Sequence, residues 1–183
     1  MCCAPCTTHP LHLLAGEGCR VFGFFFNPNI HPYQEYSRRL DAVRQFARAV
    51  DLEVIYRAEY DVVNFLRQVA FRESQRCQIC YHMRLDAAAR LALKSRMDGF
   101  TSTLLYSKRQ NHELIKQMGE EIGIRRGIPF VYRDFREGWQ EGIEISKQLN
   151  LYRQQYCGCI FSEQERYLPT RSGTVEEIFL NTK

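Results

Sequence analysis

The sequence contains no apolar run approaching the roughly 20 residues that a membrane-crossing helix needs, and no basic stretch followed by an apolar core precedes Cys2. The expectation is therefore a soluble protein of the reducing cytoplasm. Also missing are the G-x-x-x-x-G-K-[ST] loop that cradles nucleotide phosphates and the G-x-G-x-x-G turn of dinucleotide sites, so neither chemistry is supported. The C-x-x-x-C-x-x-C spacing of radical-SAM enzymes is absent too. Histidine is scarce and scattered, five residues that never cluster, and there is neither an internal repeat nor a low-complexity segment. At 183 residues the chain can bury a core without disulfide staples. A net charge of +4 and a pI near 8.6 are compatible with a polyanionic partner but decide nothing alone.

Cysteine is what is present. There are eight, and all but Cys19 fall into three tight groups: Cys2, Cys3 and Cys6; Cys77 and Cys80; Cys157 and Cys159. In a reducing compartment such groups point to metal or redox chemistry, because a C-x-x-C turn brings both sulfurs to one side of the backbone. A closed zinc site needs only four ligands, so seven grouped thiols leave some over; excess thiolate and little histidine favour an iron-sulfur cluster. Neighbours on an extended strand point to opposite faces, so Cys2 and Cys3 can share one centre only if the backbone bends there, which Pro5 favours. Gly158 lets the C-x-C make a tight excursion. A disulfide between Cys157 and Cys159 would close a small strained ring and be easily reduced, so that pair reads equally as a redox dithiol or as metal ligands.

Hydrophobic periodicity sets the order of elements. A short helix over 9–15 precedes an apolar strand, Val21 to Phe26, which stops where Pro28 and Pro32 remove backbone donors. An amphipathic helix follows over 33–50, then a strand over 52–56 and a helix over 61–73. A helix over 79–95 places Cys80 in its first turn and Cys77 just outside, where the helix N-terminus would lower thiol pKa. Strands are expected over 99–105 and 127–132, with helices over 112–122 and 139–149. This alternation predicts an open, mostly parallel α/β sheet with helices on both faces and a site at the carboxyl ends of the strands. Residues 1–168 form one catalytic α/β domain in this reading, and 169–183 a tail or short helix.

Other residues weigh less. Cys19, alone before a strand, reads as a buried apolar thiol. His82 lies two residues past Cys80 and could donate to a thiolate or a substrate, although histidine on a helix surface is commonplace. Arg38, Arg39, Lys108, Arg109, Arg125, Arg126 and Arg153 could together read phosphates, though each alone reads as a solvated charge; Tyr33, Tyr36, Tyr106, Tyr152 and Tyr156 could stack unpaired bases or fill a core. The stretch 151–156 is the best mixed candidate because it runs into the C-x-C.

Several long motifs, in order, resemble the QueH family of epoxyqueuosine reductases, the cobalamin-independent enzymes of tRNA queuosine synthesis. They are CCAPC at Cys2–Cys6, FNPNIHPYQEY at Phe26–Tyr36, RCQICYHMRL at Arg76–Leu85, FTSTLL at Phe100–Leu105 and SKQLNLYRQQYCGCIFS at Ser146–Ser162. The resemblance implies a Rossmann-like (HUP-like) fold and reductive removal of the epoxide oxygen from epoxyqueuosine at the tRNA wobble position. It implies a [4Fe-4S] cluster on Cys2, Cys3, Cys77 and Cys80. Cys157 and Cys159 match the family's C-x-C, a redox-active pair or, alternatively, part of a second, mononuclear iron site beside the cluster. Some relatives carry Asp where this chain has Cys6, which makes Cys6 a ligand candidate for that second iron. An open iron position would polarise the epoxide oxygen while the cluster delivers electrons one at a time. The implied partners are a tRNA anticodon stem-loop, its modified base turned outward, and an unidentified electron donor, with no membrane.

Family members have an apolar strand leading into CCAPC, whereas only Met1 precedes Cys2 here, so the expectation is that the recorded start falls late. Two other readings compete for the same thiols: a zinc-stabilised RNA-binding module without redox activity, and a metal-free dithiol oxidoreductase using Cys157 and Cys159.

Overall fold

The computed structural model describes residues 1–168; the tail expected at 169–183 lies outside the described residues. Two parallel strands, β1 (Gly23–Phe25) and β2 (Val54–Tyr56), pair with Gly23 opposite Val54 and Phe25 opposite Tyr56. Gly23 is required by this closeness, since a Cβ there would meet Val54 Cγ2 at 2.8 Å. Helix α2 (Tyr33–Ala49) connects the strands. It buries Tyr36, Leu40, Val43, Phe46 and Ala47, the stripe that its 3.6-residue period predicts. Tyr36, Leu40, Val43 and Phe46 join Ala4, Phe25, Ile30 and Leu151 in one apolar core, in which each fully buried large side chain stabilises by about 1.5–3 kcal/mol.

A second core gathers around α4 (Arg76–Lys94) and α5 (His112–Arg126), with Leu85, Leu105, Ile115, Ile122 and Phe135 almost wholly enclosed. Asn111 caps α5 by accepting from Leu114 N–H at 3.1 Å, and Gly127, at φ 72°, ends it in the left-handed conformation that glycine tolerates. The remaining helices are α1 (Thr8–Gly16), α3 (Val62–Val69), capped by Asp61, α6 (Trp139–Gln148) and α7 (Ile160–Tyr167). None of the helices described is long and apolar enough to cross a membrane.

The α/β class and parallel pairing agree with the sequence pattern, but the sheet is smaller than expected. The strands expected at 99–105 and 127–132 reduce to one parallel bridge, Phe100 to Phe130. Two local causes shorten them. Ser102 accepts from Leu104 N–H and starts a 3-10 turn, Thr103–Tyr106, while Pro129 has no N–H to give the ladder. Helix α4 starts at Arg76, three residues earlier than expected, so Cys77 lies inside its first turn and Cys80 one turn later. Helix α7, directly after the C-x-C, was not anticipated. Cys19 is exposed in the turn after α1, contrary to the buried thiol expected, because that helix ends in Gly16-Glu17-Gly18 and leaves it outside the core.

Candidate metal centre and active site

The backbone turns sharply after Cys2. Thr7 N–H donates to the Ala4 carbonyl at 2.9 Å and the Thr7 hydroxyl donates to the Cys3 carbonyl at 2.9 Å, folding the chain back before α1 begins. This is the bend that adjacent cysteines need in order to face one point. The sulfurs of Cys2, Cys3 and Cys6 lie within 4.8 Å of one another, with Cys2 and Cys3 at 3.7 Å. Cys3 and Cys6 are buried and Cys2 half-buried. Thr103, in the 3-10 turn that follows Phe100, accepts from Cys2 N–H through its hydroxyl at 3.3 Å and has that oxygen 3.6 Å from the sulfur.

Proton sharing divides these three thiols. Hydrogen bonds from Cys3 and Cys6 hold Cys2 well below the usual thiol range, even though burial opposes its charge. Burial first, and then the neighbouring Cys2 charge, push Cys3 up. Cys6 is raised by its bonds to both neighbours and by burial.

The second set of thiols joins the start of α4 to the segment before α7. Phe65 and Val69 of α3 pack with Cys80, and Cys159 and Phe161 lie against them. Arg76 ion-pairs with Glu165 of α7 and stacks over Phe161, tying the two helices together. Burial pushes Cys80 up to about 12, and desolvation by the surrounding protein pushes Cys157, whose side chain is exposed, up to about 11, each offset in part by Arg84. Neighbouring protein desolvates and raises Cys77 as well, although its side chain is exposed. The expected lowering at the helix N-terminus is therefore corrected: desolvation outweighs the helix dipole, whose field is worth only about 0.3–1 kcal/mol at an exposed site.

Two buried arginines link these regions, and neither was placed at the thiols from sequence. Arg84 is 7% exposed. Burial opposes its charge, yet Cys80, Cys2 and Cys157 together outweigh that cost and hold the guanidinium firmly protonated. Its place one helical turn after Cys80 was the available signal. Arg39, expected on a phosphate-reading surface, is 0% exposed. It pairs with Glu35 at 2.7 Å and donates to the carbonyls of Cys157 at 2.7 Å and Tyr156 at 2.9 Å, anchoring the C-x-C to α2. The apolar stripe of α2 turns Arg39 inward, where one carboxylate oxygen of Glu35 and two carbonyls satisfy it.

The C-x-C segment is held from several directions. His31 N–H donates to the Gly158 carbonyl at 2.7 Å, the Tyr156 hydroxyl to the His31 carbonyl at 2.6 Å, and Gly158 N–H to the Ser162 hydroxyl at 3.1 Å. The loop that receives it, 27–31, follows the carboxyl end of β1, where open α/β sheets bind ligands. Among the buried polar atoms that have no partner among the described residues are Asn27 Oδ1, Asn29 Oδ1, both His31 ring nitrogens, Thr101 Oγ1 and Gln154 Oε1. Two carboxamides reach sulfur. Gln110 donates to Cys157 at 3.3 Å, and Gln154 to Cys3 at 2.9 Å and Cys6 at 3.2 Å.

Other candidates fall away from the thiols. His82 is exposed, its Nε2 3.2 Å from Arg125. Arg125 and Arg126 pair with Asp86, and Tyr36, Tyr106 and Tyr156 are buried; of the tyrosines proposed for stacking, Tyr33 is exposed and Tyr152 partly so. Lys108, Arg109, Arg38 and Arg153 are not buried.

Fold and site together define an α/β protein with a thiol-lined candidate metal centre. The profile of the family described as "Epoxyqueuosine reductase QueH" matches residues 1–165. Proteins of that name are 36% identical over 166 residues in Dehalococcoides mccartyi, covering 91% of each chain, and 37% identical over 177 residues in Thermotoga maritima, covering 91% of this chain and 89% of the relative. The Staphylococcus aureus protein of that name is 32% identical over 179 residues, covering 90% of this chain and 74% of its own. The chain belongs to the QueH family of epoxyqueuosine reductases, a family of oxidoreductases.

Proposed function

We propose that this chain reduces epoxyqueuosine to queuosine at the wobble position of tRNA, using an iron-sulfur cluster and a neighbouring thiol or iron site. The observation that carries the reading is the convergence of Cys2, Cys3 and Cys6 within 4.8 Å, next to Asn27, which follows β1 and donates to the Met1 carbonyl. Soft thiolate donors suit iron-sulfur, iron or zinc, so the donor set fits the group that the family resemblance implies. Cys2, Cys3, Cys77 and Cys80 would hold the [4Fe-4S] cluster. Cys6 would ligate an adjacent iron, and Cys157 and Cys159 would serve as its further ligands or as a redox dithiol. When bound, such centres supply single electrons and an open Lewis-acid position for the epoxide oxygen.

This chain's own residues would then have separable tasks. Arg84 offsets the negative charge that several thiolates bring into a buried site. Arg39 holds the carbonyls of Tyr156 and Cys157 and so anchors the entry to the C-x-C. Removing the epoxide oxygen consumes two electrons and two protons and releases water, so an external reductant is required. The exposed Lys108, Arg109 and Arg153 would meet the phosphates of an anticodon stem-loop, and Tyr33 would stack on a base.

The test is direct. Protein reconstituted anaerobically with iron and sulfide is incubated with dithionite and tRNA containing epoxyqueuosine, and the nucleosides are released and weighed. Loss of one oxygen from the modified nucleoside is expected. An unchanged nucleoside with fully loaded protein rules the proposal out, and activity in metal-free protein would favour the dithiol reading instead.

A further inference from the structure

Gln154 sits on a part of the chain that has little freedom. Two residues before it the Tyr152 hydroxyl bonds to Glu35, and just after it Arg39 grips the carbonyls of Tyr156 and Cys157. Leu151 and Tyr156 are buried on either side. The carboxamide is thus carried to one place, where its Nε2 donates to Cys3 at 2.9 Å and Cys6 at 3.2 Å. The other end of the same group is the informative one. Gln154 Oε1 is buried and has no partner among the described residues. Leaving such an acceptor unsatisfied costs about 1–3 kcal/mol, and a leucine of similar size would avoid that cost. What the side chain gains against that cost is its two bonds to thiol sulfur, so its role lies at the thiols.

We infer that Gln154 is a positioning residue of the thiol centre: its amide N–H bonds hold the Cys3 and Cys6 sulfurs in one orientation and stabilise them as metal-bound thiolates. Sulfur with negative charge accepts a stronger hydrogen bond than neutral thiol, so both bonds strengthen when the thiols ionise to bind metal. Removal of a group that orients ligands in this way lowers metal affinity or activity by about 10–100-fold. Hydrogen bonds to ligand sulfur also help set the potential of an iron-sulfur centre, favouring the reduced, more negative state. The inference rests on the reading that these thiols bind metal, and it extends that reading to a residue outside the ligand set.

The experiment compares the full chain with Gln154→Leu and Gln154→Glu, the second keeping size while replacing the donor with a negative oxygen. Three measurements are made: anaerobic Co²⁺ titration followed through sulfur-to-cobalt charge-transfer absorption, the potential of the iron-loaded protein, and the thermal midpoint of the metal-free protein. Gln154→Leu should bind Co²⁺ at least tenfold more weakly, show a lower potential, and unfold at the same or a higher temperature. Gln154→Glu should bind more weakly still. Unchanged Co²⁺ affinity and potential in Gln154→Leu, or a lowered thermal midpoint as the sole effect, would assign Gln154 to packing and overturn the inference. A Gln154-dependent Co²⁺ site in a chain that fails to reduce epoxyqueuosine would leave the inference standing and sink the proposed function.

Discussion

The two thiol regions are built on opposite plans. Cys2, Cys3 and Cys6 come from five consecutive residues, and their sulfurs converge because one turn, Ala4 to Thr7, folds the backbone back on itself. Cys77, Cys80, Cys157 and Cys159 come from segments far apart in sequence, and depend on the packing of α3, α4 and α7 and on the grip of Arg39. The first region concentrates charge on Cys2 through mutual hydrogen bonds, whereas in the second burial raises Cys80. A site made locally survives disturbance elsewhere, whereas one made by tertiary packing is only as stable as that packing.

The largest effect should come from Arg39→Met, which leaves Glu35 buried without its partner and frees two carbonyls. Breaking a buried pair costs about 3–5 kcal/mol, so urea unfolding should show a loss of that order. The second thiol region should fail first, seen as faster alkylation of Cys159 than of Cys3.

Next come the proposed ligands themselves. Cys80→Ser and Cys2→Ser should each abolish iron retention and turnover in the reconstituted protein, measured by iron analysis and nucleoside mass. Full activity in Cys80→Ser would separate the second region from the reaction and favour the metal-free dithiol reading.

A smaller loss is expected on the side of the local site. A Cβ at Gly142 would meet the Tyr106 hydroxyl at 2.2 Å and Thr8 Oγ1 at 2.9 Å, between α6 and the start of α1. Gly142→Ala should therefore destabilise by about 1–3 kcal/mol in thermal or urea unfolding, and iron content should fall less than in Arg39→Met because the turn at Ala4 to Thr7 is untouched.

The smallest effect concerns acid. Asp134 accepts from Arg136, its principal cause of lowering, and also from Arg136 N–H, which together hold its carboxyl down at about 2. A carboxylate with depressed folded pKa stabilises above the unfolded value and loses that contribution as pH falls through the folded one. Stability from this turn is thus present above about pH 4 and gone below about pH 2. Asp134→Asn should flatten the acid limb of stability against pH between those values, its deficit against the parent protein being present at neutral pH and vanishing below about pH 2.

The difference between the two regions also decided what could be read from sequence. The CCAPC, C-x-x-C and C-x-C groups were visible as spacing, and the α2 stripe and the parallel pairing of β1 with β2 followed from hydrophobic period. The buried arginines were not visible, because Arg39 differs from Arg38 only in which side of α2 it occupies, and its partners lie more than a hundred residues away. The strands expected at 99–105 and 127–132 failed on local chemistry, a serine cap and a proline, that competes with β-propensity. Thiol pKa was misjudged for a similar reason. A helix N-terminus is legible in sequence, whereas the desolvation that outweighs it at Cys80 comes from residues of α3 and the C-x-C segment.

The central claim is that these thiols carry an iron-sulfur centre used for epoxide reduction. Anaerobic reconstitution of the full chain, followed by iron, sulfide and zinc analysis and an absorption spectrum before and after dithionite, tests it most directly. The account predicts a brown protein with about four irons and four sulfides, bleaching on reduction, and a fifth iron if Cys6 helps hold an adjacent site. Zinc in near-stoichiometric amount, with no iron retained and no change on dithionite, would contradict it and leave a zinc-stabilised RNA-binding module in its place.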